Sequence, residues 1–244
     1  MHDTKKKNRV IIWDWDGTLV DSMTFKYGDI WKEVFVNESQ KQKIAIGHLQ
    51  SKEGKGKNRY GLIIHTLIQT SNPEFVSISE DVLKDNALIQ KYAQIYDGAA
   101  KRHVYNDGLY PNVVQLLEML TVQGYCMYMI SGGGTDTDLD EMTTTLGVRP
   151  YFKKVYGFGS GETGLTRFGK MSNYERLLQN EGGSVSNGYI VIGDSQTDKD
   201  FAEKIGASFV GVESVWNQWG TSDQVFPTVA CVAEVESVLK EFEE

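Results

Sequence analysis

The sequence predicts an α/β protein: a doubly wound, Rossmann-like parallel sheet with a helical domain inserted after its first strand. Three observations predict it. Short apolar runs closed by turn residues recur at 9–13, 125–130, 154–158, 189–192 and 207–212, with a weaker one at 229–232. Such runs mark strands buried on both faces. From Gly108 onward helical patterns alternate with them, as in a parallel sheet covered by helices. After Ser22, by contrast, about 80 residues pass with helical patterns and no strong strand signal.

In chain order, "VIIWDWDGTLVDS" (10–22) supplies the first strand and then two acids, Asp14 and Asp16. "FKYGDIWKEVFV", "RYGLIIHTLIQT" and "DVLKDNALIQKYAQIYDGAAKR" each read as a helix of the insert. "YPNVVQLLEMLTVQG" puts Val113, Leu116, Leu117 and Leu120 on one face and stops at Gly124, a natural C-terminal cap. "NYERLLQNEGG" and "TDKDFAEKIGA" behave similarly. The expected organisation is a core of 1–20 and 106–244 with an inserted helical domain of 21–105.

Composition bounds the function. A chain of 244 residues, 40% hydrophobic and 24% charged, can bury a sizeable core. A formal charge of -8 argues against nucleic acid or an anionic membrane surface as the main partner, because phosphates would be repelled. No apolar run reaches the ~18 residues of a membrane span. "MHDTKKKNRV" has no apolar stretch of signal-peptide length, so a cytoplasmic location is expected. Cys126 and Cys231 both sit in apolar runs without metal or redox spacing and read as small buried hydrophobes.

In open α/β sheets, ligands bind beyond the carboxyl ends of the strands. The residues that follow the predicted strands there are Asp14 and Asp16, Ser131 with Gly132, Gly133 and Gly134, and Asp194 with Ser195 and Asp198. Lys170 opens a helix after "GK". Lys153 and Lys154 precede their strand and fit the site less well. Crowded carboxylates repel unless a cation compensates, and Mg²⁺ is a hard cation that takes oxygen ligands and substrate phosphate. A carboxylate can attack phosphorus, while a metal, a lysine and backbone amides neutralise the transferring group. The glycines after Ser131 admit backbone amides close to a phosphate.

"DWDGTLVDS", "ISGGG", the downstream lysine and "VIGDSQTDKDFA" resemble, in order, the four motifs of the haloacid dehalogenase-like superfamily. The resemblance spans nearly the whole chain and is to the phosphatase type with a helical cap, which includes phosphoglycolate phosphatase-like and beta-phosphoglucomutase-like members. It implies that Asp14 is the nucleophile and Asp16 the general acid/base. It implies Mg²⁺ bound by Asp14, the Asp16 backbone carbonyl and Asp194, with Ser131, Gly132 and Lys170 holding the phosphoryl group. Asp198 would be an accessory acid near the metal. The implied activity is hydrolysis of a small phosphorylated metabolite through an aspartyl-phosphate. Dehalogenase members lack an acid at the Asp16 position, so Asp16 favours phosphate chemistry.

Plainer roles compete with these. An acid at a strand end also caps turns and helices, and Asp198 fits a helix opener as well as an accessory acid. Ser131 alone would fit an N-cap. "GSGETG" (159–164) matches a dinucleotide fingerprint but stands at the wrong strand, so a loop is expected. "DTDLDE" from Asp136 lacks the glycine of a calcium loop and suits a helix N-terminus. The four histidines show no ligand spacing. "KQKIAIGHLQSKEGKGKNR" (41–59) carries six basic residues against Glu53 and reads as a loop, either solvated or bringing Lys55, Lys57 or Arg59 to a second anionic group of the substrate. Trp216 and Trp219 could line an entrance or simply pack. A phosphomutase is the alternative within the same chemistry. A catalytically silent binding module is disfavoured by the complete motif set. A response-regulator receiver is too short and has no such insert.

Overall fold

A computed structural model describes residues 10–51, 53, 59–157, 169–182, 188–214, 217, 219 and 225–242. Strand β1 (Val10–Trp13) is buried along its whole length. The chain then forms the helices α1 (Met23–Lys26), α2 (Ile30–Val34), α3 (Ser39–Gln50), α4 (Arg59–Thr70), α5 (Glu80–Leu83) and α6 (Ala87–Asp107). Helix α7 (Val113–Val122) leads to β2 (Cys126–Ile130), α8 (Asp136–Thr145) and β3 (Lys154–Tyr156). Then come α9 (Lys170–Asn180), β4 (Tyr189–Gly193), α10 (Gln196–Ile205), β5 (Ser208–Val212), β6 (Thr228–Val229) and α11 (Val235–Glu241).

The six strands form one parallel sheet in the order β3-β2-β1-β4-β5-β6. Strand β1 lies inside it, with Ile12 opposite Tyr128 of β2 and Val191 of β4. Alternate residues of a strand face opposite sides. Val10 and Ile12 share a core with Leu177 of α9 and with Phe201 and Ala202 of α10. Ile11 and Trp13, pointing to the other side, are also fully buried. Both faces are therefore covered, which makes this an α/β, Rossmann-like fold. Sequence direction reverses across β1, whose neighbours β2 and β4 run outward to opposite edges, and ligands of open α/β sheets bind at such a switch point.

The chain divides into two compact units, Ser22–Asn106 and the remainder. The inserted unit has its own core, built from Ile30, Trp31, Phe35, Leu49, Ile63, Leu67, Phe75 and Ile89 among others. Trp31 lies 5.4 Å from Tyr96 and Phe35 lies 4.8 Å from Tyr92, ring centre to ring centre. Among the described residues no helix is long and apolar enough to cross a membrane.

Several expectations need correction. Residues 41–50 of the basic stretch are not loop but most of α3, whose Ala45 and Leu49 are buried one turn apart. The apolar signal there is thin because the rest of the helix is Lys- and Gln-rich. "FKYGDIWKEVFV" is two short helices broken around Gly28, and the segment from Asp81 breaks between α5 and α6. The weak strand at 229–232 is shorter and earlier, at Thr228–Val229; Val232 opens a 3-10 turn. Cys231 caps that turn and is exposed, and Cys126 is half-buried, so neither is a fully buried hydrophobe. Trp219 packs edge-on against Phe209 and Phe226. Trp216 and the segment 159–164 lie outside the described residues.

Candidate active site

The Asp14 N–H donates to the Ile192 carbonyl at 2.9 Å, so the β1–β4 ladder runs into the first acid and aims it at the carboxyl ends of both strands. The chain then turns sharply. The Trp15 carbonyl accepts from Thr18, Leu19 and Val20, and Gly17 takes a left-handed φ of +76°, which glycine adopts at no steric cost. Ser131 extends β2 in the same way, its N–H donating to the Tyr156 carbonyl at 3.0 Å. Its Oγ accepts from the Gly133 N–H at 3.1 Å. A Cβ on Gly133 would stand 2.9 Å from Asp16 Oδ2 and 4.0 Å from Ser131 Oγ, so Asp16 faces the Ser131 loop. Gly132 is exposed beside it.

After β4 the chain enters α10 through a capping box in which Asp198 Oδ2 accepts from the Ser195 N–H at 3.0 Å and Ser195 Oγ accepts from Asp198 N–H. Asp198 is fully buried. A Cβ on Gly193 would lie 2.3 Å from Asp198 Cγ, so only glycine lets the strand end touch this acid. Asp198 thus opens the helix as expected, and its Oδ1 also accepts from Lys170. Lys170, the first residue of α9, donates further to Asp14 Oδ1 at 2.5 Å and to the Ile130 carbonyl at 3.3 Å.

Asp14, Asp194 and Asp198 are buried and present carboxylate oxygens within 4.8 Å of one another. Burial first, and then the charge of Asp198, push Asp14 up to about 7 against the pull of Lys170. Burial, Asp14, Asp198 and Asp16 push Asp194 up to about 8. Burial would lower Lys170, but Asp14 and Asp198 outweigh it and hold its pKa above the ordinary lysine value. Four acids thus meet one lysine. The donors are all oxygens, crowded and short of positive charge, which suits a hard divalent cation such as Mg²⁺. Both oxygens of Asp198 are engaged by Lys170 and Ser195, whereas for Asp14 it is Oδ1 that accepts from Lys170.

Of the residues expected to contact substrate from the insert, Lys55 and Lys57 lie outside the described residues. Arg59 is ion-paired with Asp97 at 2.9 Å, within the inserted unit, and its guanidinium lies 4.8 Å from the Tyr60 ring centre. Two further residues border the site without a local sequence signal. Asn217 donates at 2.8 Å to the Asp194 and Val212 carbonyls and accepts from the Ser214 and Trp219 N–H groups, tying the loop after β5 to the Asp194 backbone. In sequence it is one of two amides between the tryptophans of "VWNQW", which does not single it out. Tyr110 bonds Asp21; burial, with the charges of Asp21 and Asp194, holds its phenol above the ordinary value.

Comparison with known proteins fits this geometry. No curated protein matches the chain. Among solved structures, a predicted phosphoglycolate phosphatase from Haemophilus somnus 129pt is 19% identical, with 96% of this chain and 99% of that one covered and a TM-score of 0.63. A protein assigned as a beta-phosphoglucomutase from Thermotoga maritima is 18% identical, with coverages of 96% and 99% and a TM-score of 0.65. YfnB of Bacillus subtilis, assigned as a HAD-hydrolase and bound to magnesium, is 17% identical, with coverages of 96% and 100% and a TM-score of 0.58. At these identities the likeness is one of fold. The family model for haloacid dehalogenase-like hydrolases, however, matches residues 8–206, and the chain belongs to that family of hydrolases.

Proposed function

We propose that this hydrolase is a Mg²⁺-dependent phosphatase that acts on a small phosphorylated metabolite through an aspartyl-phosphate. The observation that carries the reading is the bridge of Lys170 between Asp14 and Asp198, with the Asp194 oxygens in the same cluster. A buried carboxylate kept beside a fixed ammonium can remain ionised and attack phosphorus.

In this reading an Asp14 oxygen attacks the phosphorus and the bond to the leaving oxygen breaks. The Asp16 carboxyl gives its proton to that oxygen. Asp16, now a carboxylate, takes a proton from water as the water attacks the acyl phosphate, which frees Asp14 and inorganic phosphate. Ser131 Oγ, the Gly132 amide and Lys170 hold the phosphoryl oxygens. Mg²⁺, held by Asp14, Asp194 and the Asp16 carbonyl, supplies positive charge to those oxygens when bound. Asp198 keeps the Lys170 ammonium in place and acts as the accessory acid. The inserted helical unit serves as a cap that selects the metabolite.

The test is phosphate release from p-nitrophenyl phosphate and a panel of phosphometabolites, with Mg²⁺ and with EDTA, for wild type and Asp14→Asn. Turnover that needs Mg²⁺ and vanishes in Asp14→Asn is the expected result. Absence of turnover from folded, Mg²⁺-loaded protein on every substrate overturns it. Conversion of one phosphometabolite into its isomer without phosphate release would point instead to a phosphomutase, which returns the phosphoryl group to substrate.

A further inference from the structure

We propose that Asp136, Asn173 and Arg176 are positioning residues that lock the Ser131 loop to the helix carrying Lys170. Its catalytic consequence rests on the phosphatase reading above. The four residues Asp136, Gly157, Asn173 and Arg176 form a closed ring. The Gly157 N–H, just beyond β3, donates to Asp136 Oδ1 at 2.6 Å. The Gly157 carbonyl accepts from Asn173 Nδ2 at 2.8 Å. Asn173 Oδ1 accepts from Arg176 at 2.6 Å, and the Arg176 guanidinium returns to Asp136 as an ion pair.

Each member belongs to an element that ends at the site. Asp136 opens α8, separated from the Ser131–Gly134 loop only by the N-cap Thr135. Asn173 lies one turn beyond Lys170 on α9 and is fully buried. Gly157 follows Tyr156, whose carbonyl accepts the Ser131 N–H. A Cβ at position 157 would stand 2.5 Å from the Thr135 carbonyl carbon and 2.7 Å from the Asp136 nitrogen, so β3 and α8 meet backbone to backbone. The Arg176 guanidinium also lies 5.2 Å from the Tyr156 ring centre, and Tyr156 Oη accepts from Asn180 at 3.1 Å.

A transferring phosphoryl group must be gripped from both sides in a fixed geometry, and small misplacements of a gripping group are costly. Ser131 and Lys170 belong to different elements, joined near the site by the Lys170 ammonium, which donates to the Ile130 carbonyl one residue before Ser131. The ring adds a second link, away from the ammonium: it fixes α9 to β3 and α8, the elements beside the Ser131 loop. Its described hydrogen bonds and ion pair run to neither Asp14 nor Asp194, so its loss would loosen the phosphate grip and spare the metal ligands.

The experiment compares wild type with Arg176→Met, which removes the link, and Arg176→Lys, which keeps the charge facing Asp136. Amide hydrogen exchange is followed at 131–135 and 169–173. Inhibition by inorganic phosphate, and the Mg²⁺ concentration for half-maximal turnover of p-nitrophenyl phosphate, are measured on the same samples. In Arg176→Met, exchange should quicken in both segments and phosphate inhibition weaken about tenfold or more, with Mg²⁺ half-saturation unchanged and Arg176→Lys intermediate. Faster exchange confined to α9, unchanged phosphate inhibition, or Mg²⁺ half-saturation shifting in parallel would overturn the proposal. Exchange needs no substrate, so it decides the coupling even if wild type turns over nothing, a result that overturns the phosphatase reading alone.

Discussion

The carboxylate of Asp194 rests on Gly17: a Cβ at position 17 would stand 2.2 Å from Asp194 Oδ2. The turn after Asp16 and the acid after β4 are therefore fitted to each other. Gly17→Ala must strain the backbone, because φ is +76° there, at a cost of about 1–2 kcal/mol. It must also displace Asp194. The expected result is a modest fall in thermal stability, together with a rise in the Mg²⁺ requirement and a loss of about a hundredfold in kcat/KM. A variant that loses stability but keeps the wild-type Mg²⁺ requirement would show that Asp194 is not a ligand.

Lys170 is the only positive charge among the four acids of the described site, and its side chain is 9% exposed. Removing one partner of a buried ion pair leaves the other charged and unpaired. Lys170→Met should therefore destabilise the metal-free protein by about 3–5 kcal/mol. Adding Asp198→Asn should recover part of that loss, since Asp198 accepts from the same ammonium. Urea unfolding of the wild type, both single variants and the double variant in EDTA measures the coupling. Additive effects would refute it.

The acids themselves make the metal-free protein sensitive to pH. Asp194 is raised from 3.8 to about 8. A raised acid contributes stability that is fully present below its unfolded value and is lost as pH rises through the folded one. In EDTA the melting temperature of wild type should fall between pH 5 and 8.5. Asp194→Asn, which cannot ionise, should fall less and exceed wild type at the alkaline end. Mg²⁺ should raise wild type most at high pH, where the carboxylates are free to bind it. Thermal melts at four pH values, with and without Mg²⁺, test all three statements.

How much of this was legible beforehand follows from where each signal comes from. Strands such as "YIVIG" announce themselves because both faces are buried and the whole run is apolar. Asp14, Ser131 and Asp194 stand out because each follows such a run directly, and Asp16 because it comes two residues later. Helix α3 reads as a loop in the sequence because only Ala45 and Leu49 are fully buried along a Lys- and Gln-rich helix. The grip of Lys170 on Asp198 joins residues 28 apart in sequence, and no local pattern encodes such a contact. Asn217 and the Asp136–Arg176 ion pair escaped for the same reason, since their partners are set by the fold and in part are backbone atoms.

The inserted unit offers a pH test independent of the clustered site acids. Glu38 accepts from Tyr92 Oη at 2.9 Å and pairs with Lys41, which joins the start of α3 to α6. The Lys41 ammonium, with help from the Tyr92 hydroxyl and against burial, holds Glu38 below its usual 4.5. A depressed acid contributes stability that is present above the unfolded value and is lost as pH falls through the folded one. The Glu38 side chain is 37% exposed, so solvent screening limits the contribution to about 0.5 kcal/mol. Glu38→Gln should be less stable than wild type by that amount at pH 7, and the gap should close by pH 3. Urea midpoints for this unit at both pH values measure it. A gap that persists at pH 3 would assign the effect to packing and the Tyr92 hydrogen bond rather than to charge.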